Sequence, residues 1–400
     1  MTKDAVSLEF PLTARTCPFD PPGRYAELRA TAPVSRVALP SGQTAWLLTR
    51  HADVRAVLDD PRFSSDMSRP GFPHLYPKPV EPVLKGTFIR MDGEEHAHYR
   101  RMLTGLFSVK RVEAMRPFVE QVVEDCLDRM AAHGAPADIV RELAYPVPSR
   151  VICGLLGVPH EDHATFGGYL NTLFDGSSDQ EQFAAAKAGL STYLDALISE
   201  KEKAPEDDLI SVLVEQQYKP GRLSRQELVT ISWMLLAAGH ETTAHMIGLG
   251  ALTLMENPDQ LAEATRGPAA MADAVEELLR HQTVMQLGMT RVAVADAEIG
   301  GTLIRAGEGV IALLSLANRD PDVFPDPDTV DVTRGARHHV AFGFGPHQCL
   351  GHSLARLELA VVFDRLFRRF PGIRPTVPVA DIRFRYDAIV YGVAELPVEW

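Results

Sequence analysis

Residues 342–351, Phe342-Gly343-Phe344-Gly345-Pro346-His347-Gln348-Cys349-Leu350-Gly351, constrain this chain more than any other stretch. Three glycines and a proline in ten residues exclude regular helix or strand up to Cys349, so the segment reads as a tight loop. Beyond it Leu350, Leu354, Leu357, Ala360 and Val361 recur at helical spacing, through Phe370 to Pro371. The loop is expected to open into a helix at Leu350. Cys349 would then stand at a helix N-terminus, where free N–H groups and the positive dipole end favour a thiolate. A free thiol ionises near ~8.5, so a permanent sulfur anion needs some such environment.

No Gly/Ser linker, low-complexity run or internal repeat divides the chain, and residues 1–400 read as a single domain. Lys plus Arg number 40 against 53 for Asp plus Glu, a net charge of −13 that argues against nucleic acid as the partner. Cys17, Cys126, Cys153 and Cys349 have neither disulfide-framework nor zinc spacing, which fits a reducing cytoplasm. Met1–Val6 begins no apolar run suited to a signal peptide or membrane anchor, so a soluble, cytoplasmic protein is expected.

Periodicity predicts helices at 25–31, 51–58, 93–107, 112–132, 148–156, 161–174, 180–201, 224–256 and about 271–280. Strands are expected at 34–38 and 44–48 around the turn Pro40-Ser41-Gly42, near Gly300-Gly301 and Gly307, and in a terminal hairpin region over 381–398. Residues 64–90, with prolines at 70, 73, 77, 79 and 82, form the longest irregular stretch. Ser224 and Glu227 make a capping box for the longest helix. Its middle, Leu235-Leu236-Ala237-Ala238-Gly239-His240-Glu241-Thr242-Thr243-Ala244, is apolar and then abruptly polar. Gly239 costs about 1 kcal/mol relative to alanine there. Thr242 and Thr243 back-bonding to residues 238 and 239 would loosen the same turn. His96 and Arg100, at i,i+4, share a helical face suited to an anionic group.

The pattern Phe-Gly-x-Gly-x-His-x-Cys-x-Gly, followed by Ala355-Arg356, closely resembles the haem-thiolate loop of the cytochrome P-450 superfamily. The resemblance spans the chain, since Ala-Gly-x-acid-Thr at 238–242, His-x-x-x-Arg at 96–100 and Glu-x-x-Arg at 277–280 follow the family order. It implies the cytochrome P-450 fold, mainly α with a small β region, in which a long central helix crosses the haem. Haem b is expected to be held without covalent attachment, because no Cys-x-x-Cys-His site is present. On the same resemblance Cys349 is the iron ligand, with Phe342, Gly343, His347 and Gly351 around it, and His96, Arg100 and Arg291 meet the propionates. Ala238 and Gly239 face the oxygen side, Thr242 hydrogen-bonds bound oxygen, and Glu241 relays protons. Thr87, Phe88, Met234, Ala237, Val284, Leu287 and Ile389 would line the substrate pocket. Glu277 and Arg280 would be structural, fixing the segment near 318–320 or 333–335.

The implied activity is monooxygenation of an unactivated carbon, by hydroxylation or epoxidation, in an apolar polyketide or macrolide, terpenoid or steroid-like, or xenobiotic substrate. With no flavin or nicotinamide domain in the sequence, electrons from NAD(P)H would arrive through a ferredoxin and its reductase, to a monomeric enzyme. Arg100, Arg101, Lys110, Arg111, Arg356, Arg365, Arg368 and Arg369 are candidates for the ferredoxin patch. Two other readings compete. A peroxide-driven peroxygenase would typically replace the acid-Thr pair, which is intact here, and a haem-based gas or ligand sensor would need neither that relay nor a docking patch.

Overall fold

Helix Arg225–Met255, 31 residues long, packs against more of the other elements than any other does. Its start is fixed by the capping box: Ser224 accepts from the Glu227 N–H at 3.2 Å, and Glu227 Oε2 accepts from the Ser224 N–H at 2.8 Å. The helix stays α-helical through 238–243, so the expected loosening is absent from the backbone. Thr242 Oγ1 does donate to the Ala238 carbonyl at 3.2 Å, but it shares that acceptor without breaking the helix. Gly239 instead serves a close crossing, since a Cβ there would lie 3.1 Å from Ile152 Cδ1 on helix Pro146–Leu156. The computed structural model describes residues 8–75, 82–159, 162, 167–169, 172–173 and 180–400.

The first half of the long helix packs with Gln180–Lys203 and Leu209–Leu213 around Leu190, Leu194, Ile210, Leu228 and Ile231. The second half meets Arg116–His133, Pro268–Gln282 and His352–Arg369 around Val123, Leu127, Leu249, Leu252, Leu278 and Phe363. The single helix expected over 112–132 is two, Val109–Ala114 and Arg116–His133, because Pro117 has no N–H to continue the ladder and so starts a new helix. Most of the helix expected over 161–174, and the turn at 175–178, lie outside the described residues.

The β content is small, as expected. Strands Val34–Ala38 and Thr44–Leu48 form an antiparallel hairpin in a six-stranded sheet. Its order is Leu8–Glu9, Val34–Ala38, Thr44–Leu48, Gly309–Ala312, Met289–Ala293, Phe63–Ser64. The strand Met289–Ala293 carries Arg291 opposite Val310. Residues 381–398 make a looser hairpin than expected, with bridges Phe384–Val393 and Met285–Val390 and a final strand Pro397–Glu399 paired to Arg374–Pro375 and Ala137–Asp138. No helix among the described residues is long and apolar enough to cross a membrane.

Helix Pro268–Gln282 holds the segment ahead of the cysteine loop. Glu277 and Arg280 are both fully buried, and all five guanidinium N–H groups of Arg280 are directed at acceptors. Two go to Glu277 at 2.7 and 2.8 Å, and the rest to the carbonyls of Asn318, Pro327 and Thr329. Glu277 Oε1 also accepts from Arg334 Nε at 3.2 Å and the Asp331 N–H at 2.9 Å. Both segments proposed from sequence are therefore engaged. Asn318 Oδ1 then accepts from the Val340 N–H at 2.7 Å, carrying the constraint to the loop itself.

Breaking a buried pair from one side strands the other charge. Glu277→Ala is expected to cost about 3–5 kcal/mol, read as a fall in urea midpoint or a failure to accumulate folded protein. Arg365→Ala, which breaks only exposed pairs to Glu120 and Glu124, should shift stability by no more than about 0.5 kcal/mol.

Candidate functional site

The loop is as tight as its composition demands. The Gly343 N–H bonds the Val340 carbonyl at 2.9 Å, the Cys349 N–H bonds the Phe342 carbonyl at 2.8 Å, and Gly345–His347 makes one 3-10 turn. Gly345 has φ +70° and lies so close to the neighbouring helix that a Cβ would sit 2.7 Å from the Leu58 carbonyl oxygen. Helix His352–Arg369 begins with Gly351 as N-cap, two residues later than expected from Leu350, so Cys349 lies outside its first turn. The Cys349 side chain keeps accessible surface although protein surrounds it in depth. Burial pushes its thiol up, against the opposing pull of the Gly351 N–H and the Arg100 and Arg356 charges. The expected helix-end position is thus corrected by geometry: with Gly351 as N-cap, the helix end reaches the sulfur only through the Gly351 N–H, and a bound metal would supply a further positive charge there.

Around the loop, Glu276 Oε2 lies 3.2 Å from His339 Nε2, and its carboxylate accepts from Arg356 at 2.5 and 2.9 Å. Arg356 also stacks 4.6 Å from the Phe342 ring centre and donates to His352 Nδ1 at 2.9 Å. Burial by itself would raise Glu276, but these partners outweigh it and bring the carboxyl down to about 2.

A second cluster gathers cations. The His96 and His347 rings stack with centres 4.0 Å apart. Burial first, then neighbouring arginine charge, lowers both, His347 to about 3. Arg291 is pushed down to about 10 by burial and then by Arg90, and its one side-chain bond is Nη1 to the Thr290 carbonyl at 2.8 Å. Arg90 is likewise lowered by burial, and Arg100 Nη2 reaches the Gln348 carbonyl at 2.5 Å. A carboxylate at hand, Asp92, already accepts from Ser64 and from Ser65 N–H and Oγ at 2.8 Å. His96 Nε2 is buried without a partner. Three guanidinium groups, a spare imidazole nitrogen and one committed carboxylate make a cradle for a group bearing two anionic charges, and haem with its two propionates fits that requirement. Sequence reading named His96, Arg100, Arg291 and His347 here but missed Arg90, although it stands two residues before Asp92.

The third component lies on the long helix. Amid buried neighbours, Ala238 is exposed and Ala237, Gly239, Glu241 and Thr242 are half-buried, which leaves an accessible strip with one hydroxyl and one carboxyl. Glu241 Oε1 accepts from Arg385 Nη1 at 3.2 Å and lies 3.6 Å from His245 Nε2. His240, buried beside Tyr145, is pushed down to about 4, chiefly by burial. Of the residues expected to line a pocket, Thr87 and Val284 are half-buried and Ile389 is 56% exposed. Leu287 is buried, and Phe88 and Met234 belong to the hydrophobic cluster behind the strip.

The basic patch looks different in three dimensions. Arg101 pairs with Glu94, Arg111 with Asp207, Arg356 with Glu276, Arg365 with Glu120 and Glu124, Arg368 with Asp364 and Arg369 with Asp128. Six of the eight candidate charges are thus paired with carboxylates, and Arg100 donates to the Gln348 carbonyl.

Comparison with known proteins gives a consistent picture. The family model described as "Cytochrome P450" matches residues 168–266 and 270–383. Cytochrome P450-SU2 of Streptomyces griseolus is 50% identical over 385 residues, covering 96% of this chain and 94% of that protein. Pentalenic acid synthase of Streptomyces avermitilis is 45% identical over 405 residues and the full length of both. The crystal structure of cytochrome P450 MoxA from Nonomuraea recticatena superposes with TM-score 0.92 at 47% identity, over 98% of each chain.

The Glu276 network makes a prediction about pH. A carboxyl held at about 2, below its ordinary 4.5, contributes stability that is complete above pH 4.5 and is lost as the pH falls toward 2. Between pH 6 and pH 3 the wild type should lose about 2 kcal/mol more than Glu276→Gln, measured as urea midpoints at the two pH values. Parallel losses in both proteins would remove Glu276 from the account.

Proposed function

The chain belongs to the cytochrome P450 family and is a monooxygenase of that family, and from this premise we propose that the Cys349 sulfur would hold the iron of haem b. The observation that carries the assignment is the meeting of an accessible thiol in a tight loop with the stacked His96–His347 pair and the underpaired arginines beside it. The bound haem and O2 supply the oxygen chemistry, in which one oxygen atom enters the substrate and the other leaves as water. Arg90, Arg100 and Arg291 would neutralise the propionates, His96 Nε2 would offer one of them a hydrogen bond, and His347 stacks against His96. Arg356, Phe342 and the Gly351 N–H would position and partly neutralise the sulfur. Thr242, whose hydroxyl donates to the Ala238 carbonyl, would turn that O–H from the carbonyl to the oxygen substrate, and Glu241 beside it would resupply the proton.

The substrate in this reading is an apolar small molecule of the polyketide, terpenoid or xenobiotic kind. The name of the relative pentalenic acid synthase and the apolar side chains of Val284, Leu287 and Ile389 support it. Electrons from NAD(P)H would arrive in the cytoplasm through a ferredoxin and its reductase. A groove of about 450 Å³ beside the cysteine loop, lined by Arg337, Gln348, His352 and Arg356, offers the docking place. Since the surrounding charges are mostly paired, shape at this groove would count for more than a long-range field.

Two experiments test this reading. The reduced protein with carbon monoxide should show the strongly red-shifted Soret band of thiolate ligation. Cys349→Ala should abolish that band, whereas alanine at Cys17, Cys126 or Cys153 should leave it; an unchanged band in Cys349→Ala would sink the assignment.

The second experiment separates the two relay residues. At equal haem content, Thr242→Ala should divert electrons to hydrogen peroxide and lower product per nicotinamide oxidised. Glu241→Gln should slow the entire cycle, because it removes the exchangeable acid rather than the hydroxyl donor. Full coupling in Thr242→Ala would show that the threonine only serves the helix.

A further inference from the structure

Glu241 is bound from behind by a part of the chain 144 residues away. Arg385 Nη1 donates to Glu241 Oε1 at 3.2 Å and to the Tyr145 hydroxyl at 3.0 Å, and it lies 2.9 Å from His245 Nε2. His245 is one turn along the helix from Glu241, and its ring meets Tyr145 edge-on with centres 5.8 Å apart. Arg385 is only half-buried, so the guanidinium is held by these contacts and not simply wedged into the core.

The same arginine begins the loop that carries Ile389. The Arg385 N–H bonds the Gly392 carbonyl at 2.9 Å, closing residues 386–391 into a loop, and the Ala388 N–H returns to the Arg385 carbonyl at 3.3 Å. Gly392 seats this loop on the long helix: a Cβ there would fall 2.1 Å from His245 Nδ1, so only glycine permits the approach. On the far side, the Tyr391 N–H bonds the Val284 carbonyl at 2.7 Å, and Gln286 Nε2 holds the carbonyls of Tyr386 and Ala388. Ile389, 56% exposed, thus sits on a short loop whose one end is anchored at Val284 and whose other end is anchored at Glu241.

We propose that Arg385 is a positioning residue for Glu241 and ties the orientation of that acid to the placement of the Ile389 loop. The proposal rests on the reading of Glu241 as the relay acid. A substrate pressing on Ile389 would then act on the carboxyl through one side chain, without any movement of the helix. The contact to Glu241 uses a single guanidinium nitrogen, so a lysine at 385 would keep it while a methionine would not.

The link is measured by amide hydrogen exchange on the haem-loaded protein, without substrate. Glu241→Gln and Arg385→Met should each speed exchange in residues 386–391 by about five-fold, the expected result of losing one anchoring ion pair. The double variant should add nothing further, and Arg385→Lys should remain within about two-fold of wild type. Strands Thr44–Leu48 and Gly309–Ala312, both in the six-stranded sheet, serve as the check that each variant is folded. Should Arg385→Met not fold, Glu241→Gln gives the answer by itself, since it alters neither size nor the loop sequence. Wild-type exchange at 386–391 in Glu241→Gln overturns the proposal and leaves the relay reading intact. Unchanged turnover in Glu241→Gln, with faster exchange, removes the relay and leaves the link.

Discussion

The paired charges of Glu277 and Arg280 are the constraint on which the rest of the cysteine side depends. Neither touches water, so each bond that Arg280 makes to residues 318, 327 and 329 is one that the segment cannot give up without stranding a buried charge. Such a pair adds little net stability over a well-packed apolar equivalent, but it specifies geometry. A hydrophobic contact would tolerate sliding; a guanidinium with five acceptors in fixed directions does not. Through Asn318 and Val340 that directionality reaches the loop, and the sulfur of Cys349 inherits a position set some seventy residues earlier in the chain.

The site facing that loop follows the opposite logic. Where the Glu277 network closes its charges on one another, the cluster of Arg90, Arg100 and Arg291 leaves them open, with Asp92 bound to two serines. Cations held away from water without carboxylates are unfavourable in the protein alone, and burial lowers both His96 and His347 from their ordinary range. Cys349 shows the same imbalance from the other sign, a would-be anion lifted by burial. In the proposed reading, haem would answer both, its iron at the sulfur and its propionates at the arginines. One part of the chain is built to be complete, and the other to be completed.

Much of this was legible because local rules agree with the fold. The strands at 34–38 and 44–48 have the bounds that alternation and the Pro40-Ser41-Gly42 turn predict, and the capping box at Ser224 forms in full. Legibility failed where the decisive partner is far away in sequence. Arg385 carries no local mark of its bond to Glu241, and Arg90 looks like any loop arginine until Arg291 is brought beside it. The basic patch shows the same limit: sequence displays Arg365 and Arg369, while Glu120, Glu124 and Asp128 face them from another helix. At Thr242 a local rule was real but too weak. Its hydroxyl does bond the Ala238 carbonyl, yet packing along 31 residues keeps the helix unbroken.

The order of these elements along the chain bears on how the protein is made. The long helix buries side chains all around its C-terminal half, including Met246, Ile247, Leu249, Leu252 and Leu254, but several surfaces that cover it come from residues 352–369 and 391–398. At ribosomal speed those segments follow on the order of ten seconds later. Throughout that interval a nascent chain presents a sticky, nearly complete helix whose cover is still being translated. A ribosome-bound chaperone, or pausing after residue 255, would therefore govern yield in a way that no property of the finished molecule discloses.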